Sequence, residues 1–443
     1  MESICTMIKL VCIFLLVIIS CGIIDSDNYE EKFITLHGID ISDDGETIFV
    51  SGRGDGKLHI FNSNDGSRII SMMLSENAMA AGIKYYNNKI YITYQALDQV
   101  AIIDLSTNNK DIININYTTR ICESYTSVTD CIAGDCDWME MGQMSHCINE
   151  VDVCMGYGES QCVEKDGCDW TMSTCMDSGE IMNMGTNTPH FIAIDKTNRY
   201  WFVTTITSGF IGRYNLDTNE LIDKIIVGDS PALIVLNEDN KKLYVSRMMP
   251  MAGMMTGAIS TIIQEIDYAD AAEMILSNEF EVSSPAPHGL AINSDGSEIY
   301  TTSNTADWLW KINFSSGGIT GAVLDEMIGN TPDIETQRLK PIQCLSTGEN
   351  LLFVTCSAGL WYNPSLGIQD TIPGEVQLWN TATMSIIDTL QLSWKAKPWH
   401  IVHSPVQELV FVTLAGDNLY PGSSGVACFS YKNNNLEVEW TSY

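Results

Sequence analysis

Basic residues are scarce in this chain. Lys and Arg number 23 against 56 Asp and Glu, a net charge of −33, and such a surface repels phosphate backbones and anionic lipid. Nucleic acid is therefore excluded as a partner class, and the charge is read as solubility in a salty extracellular medium that screens self-repulsion. Long apolar runs are missing too: the stretch Leu10 to Ile19 holds ten residues, about half of what a membrane-spanning helix needs. No Gly-x-Ser-x-Gly, phosphate loop, His-Glu-x-x-His or Cys-x-x-Cys-His pattern occurs, so familiar hydrolase, nucleotide, zinc-protease and haem machinery is absent. No long low-complexity tract interrupts a composition that is 45% apolar; the chain folds.

What is present is repetition. LHGIDISDDGETIFVSG from Leu36, TPHFIAIDKTNRYWFVTT from Thr188, SPALIVLNEDNKKLYVSR from Ser230 and APHGLAINSDGSEIYTTS from Ala286 share one register. Each is an alternating apolar strand, a turn rich in Asp, Asn and Gly, and a second apolar strand, which predicts a tight hairpin. Weaker copies start at Ala80, Lys340 and Lys397. With His37, Ala81, His190, Ala232, His288, Ile342 and Trp399 taken as equivalent, successive spacings are 44, 109, 42, 56, 54 and 57 residues. Third and fourth strands follow each hairpin, as in GFIGRYNLD and ELIDKIIVG after Thr204. Seven such units predict an all-β, seven-bladed β-propeller of four-stranded antiparallel blades, a ring that leaves no long exposed edge.

The stretch RYNLDTNELIDKIIVGDSPALIVLNEDNKKLYVSR, Arg213 to Arg247, resembles the YVTN repeat of surface-layer and periplasmic β-propellers. The marks are the Asp-Thr-Asn turn, Val-Gly-Asp-Ser-Pro and the closing Leu-Tyr-Val-Ser. The resemblance implies the fold and leaves function open, since such propellers serve many roles.

At the N-terminus, Lys9, the apolar run and Ser20-Cys21-Gly22 read as a secretion signal. Ile18-Ile19-Ser20-Cys21 resembles the lipobox of bacterial lipoproteins, which implies lipid on Cys21. The expected division is a signal peptide over 1–20, a lipid-anchored linker over 21–32, blades one and two over 33–119, a Cys-rich tandem insertion over 120–180, and blades three to seven over 181–443. The expected localisation is the cell envelope, with the monomeric body attached to the membrane through its N-terminal lipid.

The insertion accounts for the 109-residue interval. Its eight cysteines form two similar sets, Cys122, Cys131, Cys136, Cys147 and Cys154, Cys162, Cys168, Cys175, with Cys-Asp-Trp at 136–138 and again at 168–170. An exported segment this poor in aliphatic residues is expected to be held by disulfides. No Cys-x-x-Cys spacing is present, which counts against zinc, and three pairings per set stay open. Cys344, Cys356 and Cys428 are expected as buried free thiols.

His37, His190 and His288 fall at one repeat position, the start of the innermost strand, with His400 within one residue of it. They are expected to ring the channel mouth on the face that also carries the long second-to-third-strand connections. Imidazoles converging from distant strands suit a metal such as copper. Propeller histidines hold copper in nitrous oxide reductase and in methanethiol oxidases of the selenium-binding type, and similarity to these gives that reading a precedent. A structural ring, hydrogen-bonded to backbone or water, is the plainer alternative. Met248, Met251 and Met254 lie on one loop and offer either soft ligands for Cu(I) or an adaptable contact surface. Trp361, Tyr362 and Trp399 suit stacking on a flat ligand, and Arg53 and Arg247 suit an anion. The favoured expectation is a binding module whose top face and channel mouth engage a protein or small molecule, the alternative a copper-dependent oxidoreductase or metal-binding protein.

Overall fold

The computed structural model describes residues 35–75, 77–115, 187–228, 230–248, 260–325, 338–363, 368–417 and 419–443, with four short strands between 137 and 177. For those four strands, and for 361–363 and 368–369, the backbone path alone is described. Seven four-stranded antiparallel sheets follow one another along the chain, and within each the strands are hydrogen-bonded in sequence order. Their innermost strands are Leu36–Ile41, Ala80–Tyr86, Pro189–Asp195, Pro231–Asn237, Pro287–Ile292, Pro341–Gly348 and Pro398–His403. The chain is an all-β, seven-bladed propeller. In the sixth blade an extra hairpin, Gly359–Asn363 paired with Ile368–Ile372, fills the connection between second and third strands. The insertion between blades two and three contributes two hairpins, Asp137–Met141 with Met144–Ile148 and Cys168–Thr171 with Thr174–Asp177.

Burial explains the strand order. Second strands such as Thr47–Gly52 and Leu409–Leu414 are buried almost end to end, because a blade packs another blade on each side, and they read as near-continuous apolar runs. Outer strands such as Ile275–Glu281 are largely exposed. Seven apolar clusters result, one at each seam between neighbouring blades. The last seam joins Phe411, Val426 and Cys428 of blade seven to Leu36, Ile39, Val50 and Phe61 of blade one. Each of these two blades draws all four strands from its own end of the chain, so packing closes the ring without strand exchange.

The entry to every blade repeats one device. The residue before the inner strand is left-handed in all seven blades: Thr35, Met79, Thr188, Ser230, Ala286, Lys340 and Lys397 have φ between 47° and 54°. Its carbonyl accepts the N–H of a residue just past the second strand, as in Arg53 to Thr35 at 3.0 Å and Ala415 to Lys397 at 3.0 Å. Proline follows the left-handed residue in five blades, where the first strand position needs no N–H for the ladder. One residue further on, the strand bulges against its partner, as between Leu36 and Ile39 or Pro398 and Ile401.

A hydroxyl then locks the bulge. Ser51, Thr93, Thr204, Ser246, Thr302, Thr355 and Thr413 share one position on the second strands. Thr413 Oγ1 accepts the His400 N–H at 3.0 Å and donates to the His37 carbonyl of the next blade at 2.7 Å. Ser51, Thr93, Thr204 and Thr355 likewise donate to Ala81, His190, Ala232 and Trp399. At the seam between blades five and six, Ile342 O instead receives the ring Nδ1–H of His288 at 2.7 Å.

Candidate functional site

The entry device brings four histidines from four blades, far apart in sequence, together at the axis. Ring centroids lie 4.8 Å apart for His37 and His400, 5.4 Å for His37 and His190, and 6.4 Å for His190 and His288. Trp399 sits 5.9 Å from His37. All four imidazoles are buried, each at most 6% exposed. In the bulge register, Trp399 occupies the position of His37, and His400 that of Gly38; both take their backbone N–H to the staple hydroxyl. The expected convergence is present, with His400 reaching the cluster from the neighbouring position.

Hydrogen bonding fixes the tautomers. His288 donates Nδ1–H to Ile342 O, and His400 donates Nδ1–H to Gln343 Oε1 at 2.7 Å; Gln343 Oε1 also accepts the Ile401 N–H. In both rings Nε2 keeps its lone pair. His190 is wired oppositely. The Arg53 Nε–H must donate to Gln95 Oε1, at 2.9 Å, which turns the Gln95 amide N–H₂ toward His190 Nδ1 at 2.9 Å. His190 Nδ1 is thus an acceptor and its Nε2 carries the proton. That Nε2, His37 Nδ1 and Trp399 Nε1 are buried without a partner.

Charge follows from burial. Desolvation, then the neighbouring imidazoles and Arg53, hold His37 and His190 well below the usual histidine range. Burial lowers His288, and burial with His288 and Lys84 brings His400 to about 3. The cluster is neutral at pH 7. Arg53, itself lowered by burial, has no carboxylate partner among the described residues, whereas Lys84 faces Asp40 at 3.5 Å.

As bonded here, His190 is closed to a metal such as copper: with Nδ1 bonded to Gln95 and Nε2 protonated, it has no lone pair to offer. Among the described residues no group of three or more His, Cys, Asp or Glu is arranged to hold a metal ion.

The two arginines part company. Arg53 lies two residues past its staple hydroxyl and reaches the axial cluster through Gln95. Arg247 lies one past Ser246 and is 3% exposed; its guanidinium bonds Val227 O, Gly228 O and Gln264 Oε1. A shift of one residue turns a strand side chain to the opposite face, so Arg247 serves the fold rather than an anion at the mouth. Met248 is half-buried and packs with the cluster between blades four and five. Met251, Met254, Cys21 and the side chains of Trp361, Tyr362 and the eight insertion cysteines lie outside the described residues. Cys344, Cys356 and Cys428 are free and buried, as expected.

Sequence reasoning missed Gln95, Gln343 and the staple hydroxyls. The hydroxyls had a signal: Ser or Thr closes every second-strand motif one residue before its end. The glutamines had none, since each acts through a partner in another blade.

No family model matches the chain, and no curated protein does. Among solved structures it is similar to the selenomethionine-substituted virginiamycin B lyase from Staphylococcus aureus, at TM-score 0.54 and 14% identity over 88% of this chain and 95% of that one. It is similar to a streptogramin B lyase at TM-score 0.55 and 12% identity over 92% and 98%. A catalytically inactive histidine-to-alanine variant of the S. aureus lyase, with quinupristin, matches at 0.51 and 13% over 87% and 94%. The likeness is one of fold. What this chain shares with those propellers is the ring, which gathers distant segments at one mouth.

Proposed function

We propose that this protein is an exported binding module of the cell envelope that holds a small polar ligand at the channel mouth, against His37, His190, His288, His400 and Trp399. One observation carries the reading: three buried nitrogens, His37 Nδ1, His190 Nε2 and Trp399 Nε1, stand unpaired on neighbouring rings. Each unpaired buried polar group costs about 1–3 kcal/mol, and a ligand that pairs with them recovers that cost. A related use of histidine supports it: the S. aureus lyase with quinupristin is inactive as a histidine-to-alanine variant. Export and attachment rest on the N-terminal pattern, with lipid on Cys21, and the YVTN-like repeat belongs to the same envelope setting.

Thermal-shift screening of a small-molecule library against the wild type and a His37→Phe/His190→Phe variant tests the reading. Ligands that raise the wild-type Tm and leave the variant unmoved are expected; a library whose ligands all stabilise both proteins equally contradicts an axial site. Mass spectrometry of the mature N-terminus tests the anchor: a lipidated Cys21 is expected, and an unmodified start elsewhere refutes it.

A further inference from the structure

Among the described residues, the axial cluster holds groups that are or can become cationic and none that is anionic. His37, His190, His288 and His400 face one another, Arg53 acts on His37 and His190, and Lys84 acts on His400. Lys84 is answered by Asp40. Among the described residues no carboxylate bonds any of the four rings or Arg53, in a chain where acidic residues outnumber basic ones 56 to 23.

We propose that the axial cluster is a site for a small oxyanion of the carboxylate class, bound together with one proton taken from solvent. The inference rests on the axial reading above and specifies its ligand. Arg53 supplies the fixed positive charge, and the protonated His190 Nε2 and Trp399 Nε1 supply N–H donors. The incoming negative charge draws a proton onto an open imidazole lone pair. His288 receives it. Its Nε2 is free because Nδ1–H is bonded to Ile342 O, and it faces neither of the cations that act on the other rings. Protonation turns that Nε2 into a further donor to the anion, so anion and proton bind as a pair and the net charge of the core stays unchanged.

Linkage fixes the sign. A ligand that takes up one proton binds up to tenfold more tightly for each unit by which pH falls. Calorimetric titration of the protein with acetate, beside its neutral analogue acetamide, reads this at pH 6, 7 and 8 in two cationic buffers of different ionisation enthalpy. The expected result is acetate binding that tightens toward pH 6, with a buffer-dependent heat equal to one proton. Acetamide should not bind. Arg53→Gln should weaken acetate at least tenfold, and Arg53→Lys, which keeps the charge, should restore most of it; circular dichroism of both checks that they fold. Acetamide binding as tightly as acetate, or acetate affinity independent of pH, overturns the oxyanion inference and leaves an axial polar site. If neither probe binds, the inference falls, and the library screen on the double histidine variant decides the axial reading separately.

Discussion

The staple hydroxyl and the imidazole are the two side chains on which this ring turns. Thr413 satisfies two backbone groups in two blades, the His400 N–H and the His37 carbonyl. Thr413→Val keeps the shape and orphans both, so unfolding free energy by denaturant titration should fall by about 3 kcal/mol, with Thr413→Ser within about 1 kcal/mol of wild type. The histidines make stability depend on pH. Their folded pKa values lie below the ordinary 6.5, so below pH 6.5 the unfolded chain binds protons that the folded chain refuses. The stability they confer is complete above pH 6.5 and is lost as pH falls toward the folded values, about 3 for His400. Each contributes a slope of up to about 1.4 kcal/mol per pH unit. Denaturation series between pH 7 and 4.5 should show His37→Phe, whose ring makes no hydrogen bond to lose, with a slope shallower by about one proton. An equal slope contradicts burial of that ring. Arg53 and Arg247 both stand at the end of a second strand, but Arg53 lies two residues past its staple hydroxyl and Arg247 one; that offset turns one toward the axial cluster and the other into the seam.

At the scale of the strand, the entry device sets what each position can hold. Left-handed residue, Pro and bulge bring the next blade's backbone close, and glycine follows in blades one, two and five for that reason. A Cβ on Gly82 would lie 2.4 Å from the His190 carbonyl and 2.9 Å from Phe191 Cα. Gly82→Ala must therefore open the seam between blades two and three. An expected cost of about 1–3 kcal/mol by chemical denaturation follows from overpacking of this kind, and a neutral effect would show the seam to be looser than described. Strand order, hairpins and the inner-strand position of the histidines were legible in the sequence, because alternation and turn chemistry are local signals. The phase of blade seven was not. Trp399 and His400 compete for one repeat position, and the choice is made by the bulge between Pro398 and Ile401, which leaves no local mark in composition. Gln95 and Gln343 were invisible for a related reason: their partners lie 95 and 57 residues away.

Across the whole molecule, seven seams share the apolar burial, and the ring shuts through blades one and seven without exchanging a strand. Thiol chemistry separates this frame from its insertion. Burial pushes Cys344 and Cys428 up to about 12 and holds Cys356 well above the usual thiol range, so these three should resist alkylation until the ring unfolds. If the insertion is disulfide-bonded as its composition predicts, its eight cysteines should resist alkylation in denaturant as well and yield only after reduction. Mass spectrometry after alkylation, with and without denaturant and reductant, reads both sets; insertion cysteines alkylated without reductant would refute the disulfide expectation. The account depends most on four imidazoles from four blades meeting, buried and neutral, at one axis. Nitrogen-15 NMR of the histidine side chains across pH 8 to 5 tests that directly. The account predicts no titration of His37, His190, His288 or His400 near 6.5, with the Nε2–H tautomer at His190 and the Nδ1–H tautomer at His288 and His400. Four ordinary titration curves near 6.5, with no fixed tautomer, would contradict it.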